Sequence, residues 1–451
     1  MSSIISTRRL FLAGLSSTVG GLSPSCWGDE LPRVLKPRAT DGDSRHEPNW
    51  EERLTLTVGN KTGDLIGNHD KVLQAAVNYV SGLGGGTVKL LPGKFVLRNA
   101  VFLPSGIRII GSGEETVITK EASRRVDLAS DSDWYDQEIT LKDAKGFKVG
   151  DGICLEAMNP NHNGKIVIKR TIVAKSGSRL KLNDGLRENL WISGKPSCIS
   201  LFPLFTSERT ADVRIENITF DGNKANNENF NGNHGGCIFL QDCNRYVIKN
   251  VTTRNYNGDG ISFQICHDVT VEDCHSHDNA DLGVHPGSGS QRPLLRNNRL
   301  ERNTQGIFWC WGVKYGLAEG NRISGNRSYG ISIGHCDTDN VIRDNVIVDS
   351  GKVGLLFRND ARGIDFWANR NLVERNRIIN SGGQDGVAID ITGQTKDLRI
   401  LGNTIVESRE ASSRVGIRIG QDVGRIQMSE NDIQGFMHSV QDLRSNRRKE
   451  S

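Results

Sequence analysis

The sequence predicts an all-β fold: a parallel β-helix solenoid that begins with a short helix and carries an inserted β-subdomain. Three observations carry this reading. A glycine-led strand motif recurs at near-constant spacing, an asparagine motif advances in step with it, and the composition pairs 51 Gly with only 6% aromatic residues. Many short strands joined by tight corners suit that composition better than helices do.

The glycine motif, Gly followed by apolar, any, apolar, occurs at Gly236, Gly260, Gly283, Gly306, Gly330, Gly354, Gly386 and Gly416, at intervals of 24, 23, 23, 24, 24, 32 and 30 residues. Between these lies an asparagine series at Asn250, Asn298, Asn321, Asn345, Asn376, Asn403 and Asn431. Two short strands and two turns per unit cannot bury an apolar face alone, so each unit must stack on the next. Strands winding in one direction stack Val, Ile and Leu inside, and asparagines at the turns can hydrogen-bond one another along the stack. A leucine-rich repeat shares the period, but its Leu-x-x-Leu-x-Leu pattern is missing here.

From the N-terminus, Ser6 to Gly14 (STRRLFLAG) and the weakly apolar run to Leu22 resemble a twin-arginine signal built on Arg8 and Arg9. Residues 1–28 are therefore expected to direct export to the periplasm or beyond, with 29–50 a linker. Removing 1–28 deletes two Arg and no acid, so the formal charge falls from +4 to +2. That is too little to imply nucleic-acid or membrane-surface binding. Nothing approaches the run of about 18 apolar residues that a membrane span needs. Cys26 lies in the signal, and the other eight Cys follow no disulfide spacing, so they are expected to be buried as small hydrophobes.

Residues 51–117 are expected to hold the cap and first coils. Asn68 to Leu97 places Val72, Leu73, Ala76, Val77 and Val80 on one helix face, then passes through three Gly into a strand. This segment resembles the capping segment of the pectate lyase-like superfamily of right-handed parallel β-helices, where a helix covers the open end and GGGTV begins the first coil. The family's DDT-x-A-I-Q is replaced by GNHDKVLQAA. With the repeats, the resemblance runs from about Leu54 to Ile433. Over 118–207 the period is lost and alternating segments with Gly turns suggest an antiparallel insert beside the helix. Repeats then fill 208–440, and 441–451 is a polar tail.

In a strand reading Gly, in, out, in, out, the second and fourth residues after each Gly face outward. The second-residue column is Ile238, Ser262, His285, Phe308, Ser332, Leu356, Ala388 and Arg418; the fourth-residue column is Leu240, Gln264, Gly287, Cys310, Gly334, Arg358, Asp390 and Gly420. With coils about 4.8 Å apart, His285 falls within bonding reach of Asp259, Ser262 and Gln264. His335 and Arg358, followed by Asp390, form a second cluster expected about 10–15 Å away. The stretch Gly283 to Pro293 (GVHPGSGSQRP) breaks the repeat, and Pro286, Gly287 and Gly289 predict a dent opening outward around His285. Six of the ten His (His234, His267, His275, His277, His285 and His335) crowd into this region, and His is the side chain best suited to moving protons near neutral pH. The outward Phe308 and the corner Trp311 could stack on sugar faces, with Trp309 in the core. His275 and His277 form an HxH pair that could instead bind a metal, with no third ligand evident.

The superfamily resemblance implies a groove for polysaccharide, used by lyases, hydrolases and uronate epimerases. A uronate lyase needs a base for the C5 proton, a cation for the carboxylate and an acid for the leaving oxygen. His285 as base, Asp259 as its orienter and Arg358 or His335 for charge meet that need, with Ser262, Gln264, Phe308, Trp311 and Asp390 expected to bind substrate. A hydrolase needs two carboxylates about 5–9.5 Å apart, and the Asn-Thr-Asp, Asp-Asp and Gly-His-Gly set of the related hydrolases is absent; NGDGIS (Asn257 to Ser262) has a single Asp. His277 to Gly287 resembles the region where alginate epimerases carry Asp-Pro-His, with His-Pro and no preceding Asp here. The expected partner is an anionic polysaccharide, with calcium or another divalent metal as a candidate cofactor. The competing expectation is a glycan-binding or structural β-helix without chemistry, in which His285 and Arg358 contact only their neighbours.

Overall fold

The computed structural model describes Pro32 and residues 48–410 and 413–444. The expected signal at 1–28 and most of the polar tail lie outside the described residues. Three stacks of short parallel strands make the solenoid. In one coil, Tyr329–Ile333 pairs with Val353–Phe357 of the next coil, Val341–Arg343 with Leu372–Glu374, and Val346–Val348 with Arg377–Ile379. The glycine-series strands form one continuous front sheet of 11 strands, running from Val101–Phe102 through Phe205–Glu208 to His438–Asp442.

Both repeat signals have a physical cause. A Cβ added at Gly330 would sit 2.5 Å from the Ile347 side chain and 2.6 Å from the Gly354 carbonyl, so the corner that opens each front strand has no room for one. The buried asparagines form a ladder. The Asn321 amide nitrogen donates to Leu295 O at 2.9 Å and to Asn345 Oδ1 at 2.8 Å, while its Oδ1 accepts from the backbone and side-chain nitrogens of Asn298. Asn376, Asn403 and Asn431 continue it. Asn250 stands outside the ladder: it is exposed, in a left-handed turn at φ 51°, and Val251 occupies the inward position.

Helix α1 (Asp70–Gly82) buries Leu73, Ala76, Val77 and Val80 against the first strands, with Val72 partly covered. The insert is a six-stranded antiparallel sheet between Arg125 and Ile199 with its own core around Leu128, Ile139, Leu155 and Leu180. Its principal ties are Arg98 to Asp151, with Nε to Oδ1 at 2.7 Å, and Asn99 to Thr171 at 3.0 Å. Ile118 and Phe205 belong to solenoid strands, so the insert is narrower than 118–207. The eight described cysteines are free, and all but Cys336 are buried. No helix among the described residues is long and apolar enough to cross a membrane.

One buried cation gives the fold a pH signature. The Lys120 side chain lies over the Phe202 ring and bonds Asn227 Oδ1, and burial holds its ammonium down to about 7. The unfolded chain, with an ordinary lysine, binds more protons between that value and the normal one, so this group makes stability rise with pH across the interval. Lys120→Met is expected to diminish the gain in thermal midpoint between about pH 7 and about pH 10. An equal gain in both proteins would contradict the assignment.

Candidate functional site

The front-sheet register sets the site and corrects two columns. Ile238 pairs with Ile261 and Phe239 with Ser262, so at the Gly236 coil the outward residues are Phe239 and Gln241, not Ile238 and Leu240. At the Gly386 coil, Leu356 pairs with Asp390 and Asp390 with Arg418. Ala388 thus occupies the corner position expected of Gly386. Asp390 therefore leaves the expected cluster with Arg358 and forms an ion pair with Arg418 at 2.5 Å. The outward column is Thr206, Phe239, Ser262, His285, Phe308, Ser332, Leu356, Asp390 and Arg418.

Asp259 and His285 meet as expected. His285 Nδ1 lies 2.8 Å from Asp259 Oδ2 and 3.3 Å from Ser262 Oγ, while Asp259 Oδ1 accepts the Leu282 N–H at 3.1 Å. An ionised carboxylate only accepts, so Nδ1 donates to it, which in the neutral imidazole leaves the lone pair on Nε2. That Nε2 is buried and has no hydrogen-bond partner among the described residues. Burial holds the Asp259 carboxyl above the usual carboxylate range, with the His285 hydrogen bond opposing part of that rise. This is the arrangement of an oriented general base.

The dent does not open outward. His285 is 3% exposed, with the segment Asn231–Gly235 reaching the pair through Gly232 and Phe308 packed on the ring. A Cβ at Gly232 would fall 1.7 Å from Asp259 Oδ2 and 2.9 Å from His285 Nδ1, and the Gly232 carbonyl accepts from Ser262 Oγ at 2.6 Å. The space at Gly287 is filled by the Gln264 carboxamide, whose Oε1 accepts from Ser288 N at 2.9 Å. Gln264 Nε2 reaches Ser262 Oγ at 3.2 Å. Ser262 and Gln264 thus support the buried pair from below and line no open groove.

The second cluster is nearer than coil counting predicts. Arg358 reaches back over the Phe308 ring at 4.3 Å, and the edge of that same ring meets His285 at 5.2 Å. A single outward phenyl therefore spans the two clusters. Arg358 donates to Ser332 Oγ at 3.0 Å, Trp309 O at 2.9 Å and Asp360 Oδ2 at 2.9 Å. Beneath it, Asp337 accepts backbone N–H groups from Gly312, Val313 and Gly334, yet burial raises its carboxyl to about 6. His335 joins a different group: its Nδ1 accepts Arg362 N at 2.9 Å, and its ring packs on Trp311 at 4.5 Å and Phe366 at 5.4 Å. Trp311 and Phe366 are 39% and 46% exposed, and the Arg362 guanidinium lies over Trp311. Together they make a shelf of the kind on which apolar sugar faces stack.

Asp337, Asp360, Arg362, Phe366 and the Asn231–Gly235 segment escape the column reading. Their only sequence signals are the 32-residue interval after Gly354, which supplies the loop of Asp360 to Phe366, and the Asn- and Gly-rich NFNGNHGG from Asn229. His275 and His277 do not make a metal site. They lie in a strand with their rings stacked at 4.1 Å, and they bond Glu301 and Asp278 respectively. Among the described residues no three His, Cys, Asp or Glu side chains converge as ligands.

The family described as "Right handed beta helix region" matches residues 208–369. No curated protein matches. Among solved structures, the A-module of the Azotobacter vinelandii mannuronan C-5 epimerase AlgE4 is 17% identical, with a TM-score of 0.51 over 82% of this chain and 93% of that one. The AlgE6 A-module from the same organism is 15% identical, with a TM-score of 0.50 over 83% and 94%. A structure titled "Glycoside hydrolase" is 12% identical, with a TM-score of 0.51 over 84% and 96%. What this chain shares with them is the fold, a right-handed parallel β-helix.

Proposed function

We propose that the chain is an exported carbohydrate-active protein that takes the C5 proton from a uronate residue of an anionic polysaccharide, with His285 as base and Asp259 holding it. The observation that carries this reading is the His285 imidazole fixed at Nδ1 by a buried carboxylate, leaving an unpartnered Nε2. Arg358, one phenyl ring away, is paired with Asp360 at 2.9 Å and lies 3.7 Å from Asp337, and it is the cation from which a substrate carboxylate would draw positive charge. The Trp311 and Phe366 shelf supports sugar stacking farther along the face. Nε2 is buried, so a local opening must expose it before it can meet substrate. In elimination the C4–O bond breaks, the leaving oxygen takes up a proton and an unsaturated uronate remains; in epimerisation C5 is reprotonated from the opposite face by a different donor, such as water. The same base serves both.

The reading without chemistry has its own support. His285 and Arg358 are bound only to neighbouring groups, and His285 is 3% exposed. The two separate when uronate-containing polysaccharides are mixed with the purified chain and with His285→Ala, following ultraviolet absorbance of unsaturated product and uronate stereochemistry together. Loss of either change in the variant supports the base. No change with wild type, alongside retained binding, moves the protein to glycan recognition.

A further inference from the structure

The insert and the front sheet enclose a cleft of about 610 Å³ that lies apart from the His285 pair. Its floor carries Thr206 and Gln241 of the outward columns, its wall Val167, Lys169 and Thr171, and one end His234. The wall follows from strand alternation. In Lys165–Ser176, Ile166, Ile168 and Ile172 enter the insert core, so Val167, Lys169 and Thr171 face the solenoid.

Lys169 distinguishes this cleft. Its ammonium stands 4.1 Å over the ring of Phe239, the outward residue one coil before Ser262 and two before His285. Among the described residues its ammonium has no hydrogen bond and no ion pair; burial depresses its pKa to about 8, and Glu208, acting through space, opposes that. Arg170 beside it spends its guanidinium on the Gly185, Leu186 and Lys169 carbonyls, with Asp184 acting on it only through space. Glu208, Asp184 and Glu188 also line the cleft, but none of them is bonded to Lys169, so its partly desolvated ammonium is free to pair directly with a carboxylate brought by a ligand. Two coils of about 4.8 Å separate Phe239 from His285, a span that a short oligosaccharide bridges along the same face. His234 lies in the segment that also reaches the Asp259–His285 pair, so a ligand here would touch that segment.

We propose that the insert builds a binding subsite for a uronate carboxylate, with Lys169 as its ligand, which accounts for why the solenoid carries the subdomain. The proposal rests on the acidic-polysaccharide reading above, and its test is arranged so that the two fail separately. An oligouronate and a neutral oligosaccharide of equal length are titrated calorimetrically into wild type, Lys169→Met, Lys169→Arg and Arg425→Ala. Lys169→Met keeps the aliphatic stem on Phe239; it should weaken oligouronate binding about tenfold or more and leave the neutral sugar unaffected. Lys169→Arg should stay within about threefold and Arg425→Ala, a surface substitution away from both sites, near wild type. In wild type, the oligouronate should also protect Lys169 from reductive methylation, a readout that needs no variant. Unchanged affinity in Lys169→Met, or no protection, overturns the subsite even if turnover is seen. Weakened binding and protection with no chemistry keep the subsite and discard proton abstraction. If wild type binds neither sugar, both readings fall.

Discussion

Asn321→Ala is expected to destabilise the solenoid by about 3–5 kcal/mol, because one side chain closes four hydrogen bonds at a dry corner. Removing it leaves the Asn298 backbone and amide nitrogens without their acceptor and Leu295 O without its donor. Each unsatisfied buried group costs about 1–3 kcal/mol, and Asn321 is fully buried, so water cannot step in without opening the stack. Coils contact only their neighbours, so the damage falls on the middle coils and should appear as a lowered thermal midpoint with a broader transition. Arg425→Ala, which breaks a largely exposed ion pair with Asp397, is the control and should change stability by less than about 1 kcal/mol. Equal effects from the two would show that the ladder is decoration.

The second large effect is on chemistry. Asp259→Asn preserves size but reverses the proton pattern on His285. The Leu282 N–H fixes the acceptor end of the new carboxamide, so its NH2 faces Nδ1. Nδ1 must then accept, the ring proton moves to Nε2, and the lone pair that takes the C5 proton is lost. Turnover is expected to fall about a hundred- to ten-thousand-fold, while oligouronate binding holds near wild type. A variant that turns over normally would remove Asp259 from the mechanism.

How much of this was legible in the sequence depends on what each residue answers to. Gly330 and Asn321 answer to their own corner in every coil, so spacing alone reveals stacked coils. Side-chain columns demand more, because they assume that each glycine marks the same backbone position. At Gly236 and Gly386 it does not. Cys237 and Ala388 hold the corner there, and Asp390 is carried from a supposed place beside Arg358 to Arg418. The Asp259–His285 contact was readable because it spans one coil of regular spacing. The burial of His285 was not, because part of its surroundings comes from Asn231–Gly235, ahead of the first regular coil and without periodicity. Likewise, alternation reveals the strands of the insert, but the seat of Lys169 over Phe239 is a tertiary contact that no local pattern encodes.

The account's central claim is that His285 takes the C5 proton of a uronate. It is tested most directly by following that hydrogen by nuclear magnetic resonance in heavy water, with wild type and His285→Ala acting on the same polysaccharide. The account predicts that wild type strips the C5 hydrogen, leaving either an unsaturated ring or deuterium in its place, and that His285→Ala leaves it untouched. A C5 hydrogen retained by wild type, or lost equally with the variant, would contradict it.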